Sequence, residues 1–214
     1  MHARRVRCSP RKSGFTAGSR AHGRWVADGR RAGPGSPTRR AARGDREVGY
    51  SWAMRSASRH ASVAGAAAGW AAAVTAVAVV GGLATDTSSD WYRELEKPSW
   101  QPPGSVFGPV WTVLYVLIAV AATLSFRDVG GPRRRLVLGL YAANLALNVA
   151  WTWIFFQGHA PTAAGIEIVF LLATIVALIW LVRPHNWAAA LALAPYGAWV
   201  AFATALTWAI AARN

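Results

Sequence analysis

The chain has 214 residues, a formal net charge of +14 and a single cysteine, Cys8, which excludes an intramolecular disulfide and a cysteine metal cluster. Its charge is uneven, because residues 1–60 contain fifteen Arg and Lys against three acids, a net of +12, whereas residues 61–214 contain eight against six. The basic character therefore belongs to the N-terminal stretch, and no argument for nucleic-acid binding reaches the apolar remainder.

Residues 1–60 are rich in Arg, Gly, Ser and Ala and show no helical or strand period. They contain few large apolar side chains that could offset the entropy lost on ordering, so we expect a disordered basic extension. Its Arg and Ser content also fits a transit peptide, whereas a secretory signal fits poorly because the first apolar run begins only near Ala61. We favour an over-long translated sequence with an alternative start at Met54.

Residues 61–214 contain long runs without charge, interrupted within one run only by Glu167. A helix that rises ~1.5 Å per residue needs about 20 residues to cross ~30 Å of hydrocarbon. A soluble all-α protein would show polar stripes instead. We therefore predict an all-α membrane protein in which residues 61–214 form a five-transmembrane-helix bundle, with helices at roughly 62–84, 105–126, 136–156, 162–182 and 188–211.

Basic residues flank alternate ends of these helices, namely Arg55, Arg59, Arg127, Arg133, Arg134, Arg135 and Arg183. Cytoplasmic loops of membrane proteins carry the excess of Arg and Lys. The pattern predicts a multi-pass protein with a cytoplasmic N-terminus and, because the number of helices is odd, a C-terminus on the opposite side.

The third predicted helix carries small residues at four-residue spacing: Gly139, Ala142, Ala143, Ala146 and Ala150. Small residues at this spacing allow close helix approach in lipid. Two alternatives are open, a homodimer contact or packing against another helix of the same chain.

Ten of the twelve tryptophans lie after residue 60, and those beside predicted loops suit interfacial anchoring. Trp111, Trp151 and Trp199 instead lie within predicted helices, close to proline or polar residues. We predict that these three indoles surround a cavity.

Polar residues inside the spans are costly unless they are bonded. Asn144 and Asn148 project from one helix face, and two roles are open, interhelical hydrogen bonding or, for Asn148, a donor beside Trp151. Glu167 is the only acid within a span, but it is close to a helix N-terminus, where water and the helix dipole stabilise a carboxylate. We therefore rank Glu167 second.

The first loop, residues 91–103, is aromatic and stiffened by Pro98, Pro102 and Pro103, which is typical of a lid. Phosphate-binding glycine loops, zinc-site spacings and a Ser-His-Asp set are missing from the sequence. His159 and His185 fall in predicted loops, so we expect neither an axial haem ligand nor a required cofactor.

Several motifs occur together in one order: Trp91-Tyr92, Lys97-Pro98, Trp100, Pro102-Pro103, Val106-Phe107-Gly108-Pro109-Val110-Trp111, Leu145-Ala146-Leu147-Asn148 with Trp151, and Pro195-Tyr196 with Trp199. In this order the chain resembles the TspO/MBR family, which includes translocator proteins, tryptophan-rich sensory proteins and peripheral-type benzodiazepine receptors. The resemblance covers about residues 65 to 214.

The resemblance implies a five-helix bundle, often dimeric, that binds porphyrins, haem, sterols and benzodiazepine-type drugs. It implies a pocket formed by Trp100, Pro102, Trp111, Asn148, Trp151, Tyr196, Trp199, Ala203 and Leu206. Two departures limit it: Thr207 stands where the family has Asn, and the sterol motif of animal members has Trp208 in the Tyr position and Ala212 in the basic position.

Three functional hypotheses follow from the residues and the resemblance. The preferred one is a membrane sensor or translocator that binds a porphyrin, haem or sterol-like ligand, with ligand carboxylates meeting Arg93 or Lys97. The alternative is a light-dependent porphyrin-degrading enzyme that uses the indoles of Trp111 and Trp199. A membrane scaffold is the third, less favoured because it explains neither Glu167 nor the tryptophans.

Overall fold

The computed structural model describes the backbone of residues 37–214 and the side chains of Met54 and residues 56–214. This part of the chain contains helices and no strand: α1 (Pro37–Ala84), α2 (Asp90–Glu94), α3 (Gly104–Asp128), α4 (Gly131–Thr152), α5 (Pro161–Val182) and α6 (Trp187–Ala211). A π-helical turn, Trp153–Gln157, continues α4. Five segments are long and apolar enough to cross a membrane, as predicted.

Helix α1 begins at Pro37, earlier than the predicted start near residue 62. Ala and Arg are among the strongest helix formers, and extending an existing helix needs no new nucleation. The helix therefore continues through the predicted domain boundary at residue 60. Disorder was expected of residues 1–60, but residues 37–60 are helical in α1, and residues 1–36 lie outside the described residues. The site described below lies within residues 47–214.

Short connections between α3, α4, α5 and α6 make consecutive helices antiparallel neighbours. Gly131, at φ +61°, lies where α4 begins, in a region of backbone conformation that favours glycine. The side chain of Asn186 caps α6 by accepting a hydrogen bond from the amide of Ala189 at 2.8 Å. The cap of α6 thus gives one of its first amides a hydrogen-bond partner.

The π-helical turn is closed by a hydrogen bond of 2.8 Å from the amide of Gly158 to the carbonyl of Trp153. A Cβ on Gly158 would lie 2.8 Å from the Ile154 carbonyl oxygen, so only glycine fits there. The extra residue per turn rotates the end of α4, and π-helical turns frequently occur at functional sites.

The inward face of α4 carries both apolar and polar residues, and the small-residue face lies opposite to it. Gly139, Ala142, Ala143 and Ala146 are exposed, and Ala150 is half-buried. A Cβ on Gly139 would meet no atom within 4 Å. The alternative that this face packs against another helix of the same chain is therefore wrong for the described residues.

Candidate ligand-binding cavity

A cavity of about 740 Å³ lies between the membrane-spanning helices, beneath the segment that connects α1 to α3. This volume is within the range usual for small-molecule sites, about 300–1,000 Å³. Six of the nine predicted pocket residues line it: Trp111, Asn148, Trp151, Trp199, Ala203 and Leu206. The helix packing thus brings together residues that are far apart in the sequence.

Three predicted pocket residues do not line the cavity. Trp100 is 48% exposed and makes an edge contact with Phe202, with ring centroids 5.7 Å apart. Pro102 is half-buried in the connecting segment. Tyr196 is fully buried behind the cavity wall, where it contacts Asn148. Their roles are therefore to close or support the cavity rather than to form its surface.

The residues considered as pocket candidates did not include several aromatic side chains that line the cavity, among them Phe107, Tyr115, Phe155 and Phe156. Phe107 and Tyr115 lie four residues on either side of Trp111, so helical spacing would have placed them on the same face of α3. Phe155 and Phe156 could not be found in this way, because the π-helical turn turns both toward the cavity.

Aromatic contacts shape two walls of the cavity. Trp199 makes an edge contact with Phe107 at a centroid distance of 5.7 Å. On the other side, Trp151 stacks on Phe155 at 5.3 Å with an interplanar angle of 19°. Such pairs contribute about 0.5–1.5 kcal/mol beyond area burial, so the walls hold their shape.

A continuous hydrogen-bond chain connects the cavity to the back of the bundle. Tyr115 donates its hydroxyl hydrogen to Asn148 Oδ1 at 2.8 Å, and Asn148 Nδ2 donates to the Tyr196 hydroxyl at 3.4 Å. Tyr196 donates to Asn144 Oδ1 at 3.0 Å, and Asn144 Nδ2 donates to Thr174 Oγ1 at 2.7 Å. Asn148 is thus both an interhelical hydrogen-bonding residue and part of the cavity wall.

The segment over the cavity, residues 85–103, is defined here as the lid. Gln101 Nε2 donates to the Tyr92 hydroxyl at 3.1 Å, and Lys97 Nζ lies 4.5 Å from the centre of the Tyr92 ring. Where the lid leaves α1, hydrogen bonds from the side chain and amide of Ser88 hold the pKa of Asp86 below its usual value. The lid is therefore ordered by its own contacts, in agreement with its predicted stiffness.

The lid is also attached to the end of α6, and the last residue of α1, just before the lid, is attached to the π-helical turn. The amide of Glu96 donates to Asn214 Oδ1 at 3.0 Å, and Asn214 Nδ2 donates to the Glu96 carbonyl at 3.2 Å. Gln157 Nε2 donates to the Ala84 carbonyl at 2.9 Å. Asn214 therefore connects the end of α6 to the middle of the lid.

Replacing Asn214 with Ala is expected to loosen the lid without disturbing the bundle, because both hydrogen bonds to Glu96 are lost. Each such bond contributes about 0.5–1.5 kcal/mol. Hydrogen exchange should become faster at the Glu96 amide and its neighbours, while the transmembrane helices keep their protection. Arg213→Ala is the matched control, since Arg213 bonds only to the Ala209 carbonyl of its own helix. Equal exchange in both variants would contradict the connecting role.

Glu167 differs from its expected environment. Both carboxylate oxygens are buried in the bundle and have no hydrogen-bond partner among the described residues. Glu167 is the seventh residue of α5, past the first turn where the helix dipole acts. The helix N-terminus therefore stabilises this carboxylate less than expected, because Glu167 lies beyond the first turn of α5.

The described residues contain no group of three or more His, Cys, Asp and Glu able to hold a metal ion. His159 and His185 lie in the connections on either side of α5, as predicted. The His159 ring stacks on Trp91 of the lid at 4.4 Å. His159 is thus a packing partner of the lid.

Comparisons with known proteins agree with this architecture. The TspO/MBR family profile matches residues 70–213. The chain is 39% identical to the Translocator protein of Homo sapiens over 122 residues, which are 56% of this chain and 72% of the relative. It is 35% identical to the Tryptophan-rich protein TspO of Archaeoglobus fulgidus over 144 residues, 66% of this chain and 92% of the relative. The Protein CrtK of Rhodobacter capsulatus is 34% identical over 121 residues, 56% of this chain and 76% of the relative. With five apolar spans, an aromatic cavity and this match, the chain belongs to the TspO/MBR family of multi-pass membrane proteins.

Proposed function

We propose that this protein binds a flat, largely apolar tetrapyrrole such as protoporphyrin or haem in the cavity, and acts as a membrane sensor or translocator for it. The observation that carries the proposal is the cavity itself, about 740 Å³ in volume and walled by the indoles of Trp111, Trp151 and Trp199. Indole faces stack well on a planar macrocycle.

The lid supports the orientation of such a ligand. Tyr92 and Gln101 line the cavity, and Lys97 lies over the Tyr92 ring with its ammonium group bonded to the carbonyls of Arg93 and Leu95. The guanidinium of Arg93 is mostly exposed, with only a 3.9 Å ion pair to Asp90. Two cations at the lid would favour a macrocycle whose carboxylates point out of the membrane.

A sterol-like ligand has less support. The hydroxyl of Thr207, where the family has Asn, donates its hydrogen to the Ala203 carbonyl at 2.8 Å, so it can offer a ligand only an acceptor and not the amide donor of Asn. Trp208, in the Tyr position of the sterol motif, is 41% exposed and lies over Gly165, where an added Cβ would be 3.1 Å from its ring. We therefore place tetrapyrroles before sterols.

The test is purified protein mixed with protoporphyrin IX in darkness and under irradiation. Binding without loss of the porphyrin absorption band supports the sensor or translocator. Loss of the band in light, reduced in Trp111→Phe and Trp199→Phe, supports the alternative of a porphyrin-degrading enzyme. Phe keeps an apolar ring but removes the oxidisable indole. Failure to bind in either condition overturns the proposal.

We also propose a homodimer contact through the exposed small-residue face of α4. Close helix approach in lipid requires such a surface, and no helix of the described chain covers it. Ala143→Cys is expected to form disulfide-linked dimers in membranes, whereas Val176→Cys on the exposed side of α5 is not. Dimers from Val176→Cys alone would contradict this assignment.

We further propose that the N-terminus is cytoplasmic, which places the lid and the C-terminus on the opposite side. The support is the cluster of arginines at the end of α3 and the start of α4, with Arg183 after α5 on the same side. Reporter fusions after Asn214 would measure the side directly.

A further inference from the structure

Two unpaired polar groups lie inside the bundle and are explained neither by the hydrogen-bond chain nor by the lid. The indole Nε1 of Trp151 and both carboxylate oxygens of Glu167 are buried and have no hydrogen-bond partner among the described residues. One is a donor and the other is an acceptor. A buried polar group without a partner costs about 1–3 kcal/mol, and more if it is charged, so both groups call for a physical explanation.

The register of α4 and α5 places these two groups opposite each other. These helices are antiparallel neighbours, and the bond from Asn144 Nδ2 to Thr174 Oγ1, 2.7 Å long, fixes their relative height. Trp151 follows Asn144 by seven residues, and Glu167 precedes Thr174 by seven. Seven residues are about two helical turns, or ~10.5 Å, so each stays on the face of its predecessor. Trp151 and Glu167 therefore lie at about the same height on facing sides of α4 and α5, two turns nearer the α4–α5 connection.

The other elements packed around Glu167 cover this part of the bundle and contribute no second carboxylate. Trp208 of α6 covers Gly165, two residues before Glu167, and Tyr196 is close enough for electrostatic interaction with the carboxyl. Residues 136–157 and 187–211 contain no Asp, Glu, Lys, Arg or His, and the nearest such residue along the connection is His159, stacked on Trp91. Glu167 is therefore the carboxylate of this site, with the Tyr196 hydroxyl as a neighbour.

We propose that Glu167 is the hydrogen-bond partner of the Trp151 indole, and that its protonation state sets the orientation of this wall of the cavity. An ionised carboxylate is a strong acceptor for the indole N–H, whereas a protonated carboxyl is a weak one. The two groups are not bonded in this structure, so the bond requires a change of rotamer in one of the two side chains. Glu167 is a positioning residue, since it does not line the cavity but its neighbour Ile168 does.

The consequence for binding rests on the proposed function. A ligand that stacks on Trp151 prefers the fixed indole, so its binding is linked to loss of the Glu167 proton. Linkage is reciprocal, so lowering the pH through the titration of Glu167 weakens binding, and bound ligand promotes proton release. The expected change is about tenfold in affinity, near the lower end for one hydrogen bond to a charged group.

The first experiment needs no ligand. Protein labelled with ¹⁵N in its indole rings is followed by NMR against pH, with Trp151 assigned through Trp151→Phe. The Trp151 N–H resonance should shift with pH in the parent and in Glu94→Gln, a matched control in the exposed part of the lid. It should not shift in Glu167→Gln. A Trp151 resonance that stays constant in the parent, or still titrates in Glu167→Gln, overturns the proposal.

The second experiment measures protoporphyrin IX affinity across the same pH range. Asp128→Asn, at the end of α3 and outside both the lid and the cavity lining, is the control for affinity and should reproduce the parent, including any titration of the porphyrin carboxylates. Glu167→Gln should bind like the protonated parent and lack the tenfold step. On a Trp151→Phe background, Glu167→Gln should change nothing further, since the two residues act as one unit. If the tenfold change in affinity with pH is undiminished in Glu167→Gln, the linkage between binding and the Glu167 proton is overturned.

A separate outcome distinguishes this inference from the proposed function. If porphyrin does not bind but the Trp151 N–H resonance still titrates, the proposed function is wrong and the Trp151–Glu167 interaction is supported.

Discussion

Trp111→Ala and Trp199→Ala are each expected to weaken protoporphyrin binding by at least about tenfold, the largest effect on affinity predicted for this chain. Both indoles line the same cavity although 88 positions separate them in sequence. Each replacement removes a stacking contact of about 0.5–1.5 kcal/mol and the apolar area buried with it. Since 1.4 kcal/mol corresponds to a factor of ten in affinity, the two losses together reach that size.

Conservative variants and an exposed tryptophan provide the controls. Trp111→Phe and Trp199→Phe should bind almost normally, because a phenyl ring still stacks on the macrocycle. Trp180→Ala removes an indole that is 71% exposed on α5, and it should leave the affinity unchanged. Titrating each variant with protoporphyrin and following the porphyrin absorption band measures the affinity of each variant. If neither alanine variant binds more weakly in correctly folded protein, the cavity is not the porphyrin site and these tryptophans are packing residues.

Asn148→Leu is expected to cause the largest loss of stability and to weaken binding as well. Asn148 is 5% exposed and joins the hydroxyls of Tyr115 and Tyr196. Leucine leaves the Tyr115 hydroxyl without a partner inside the membrane, at a cost of about 1–3 kcal/mol, whereas the Tyr196 hydroxyl keeps its bond to Asn144. This cost exceeds the ~0.6 kcal/mol typical of a single interhelical hydrogen bond in lipid, because a buried hydroxyl loses its acceptor. Thermal unfolding in detergent measures the first effect and porphyrin titration the second.

A second substitution separates the hydrogen-bond effect from the change in shape. Tyr115→Phe with Asn148→Leu removes both partners of one bond, which is far less costly than removing one. The double variant should therefore unfold at a higher temperature than Asn148→Leu alone. A double variant that is less stable by the sum of the two single losses would show that the Tyr115–Asn148 bond contributes little.

The polar residues show how far sequence reasoning reaches. Asn144 and Asn148 could be placed on one face of a helix from their spacing, and the cost of an unpaired amide in lipid required that they be bonded. Their partners, Thr174 and Tyr196, come from other helices. The periodicity of a single helix carries no information on which helix lies opposite, so the hydrogen-bond chain could not be read from the sequence.

The sequence by itself determined the number and approximate limits of the spans, since the hydrocarbon thickness demands uncharged runs of fixed length. It also determined most of the cavity residues, because their motifs resemble one family. Only the tertiary structure decided that Tyr196 lies behind the cavity wall, that the π-helical turn directs Phe155 and Phe156 inward, and that the small-residue face of α4 is exposed. Each of these depends on how one helix is rotated against its neighbours, and that rotation is set by side-chain packing across the whole bundle.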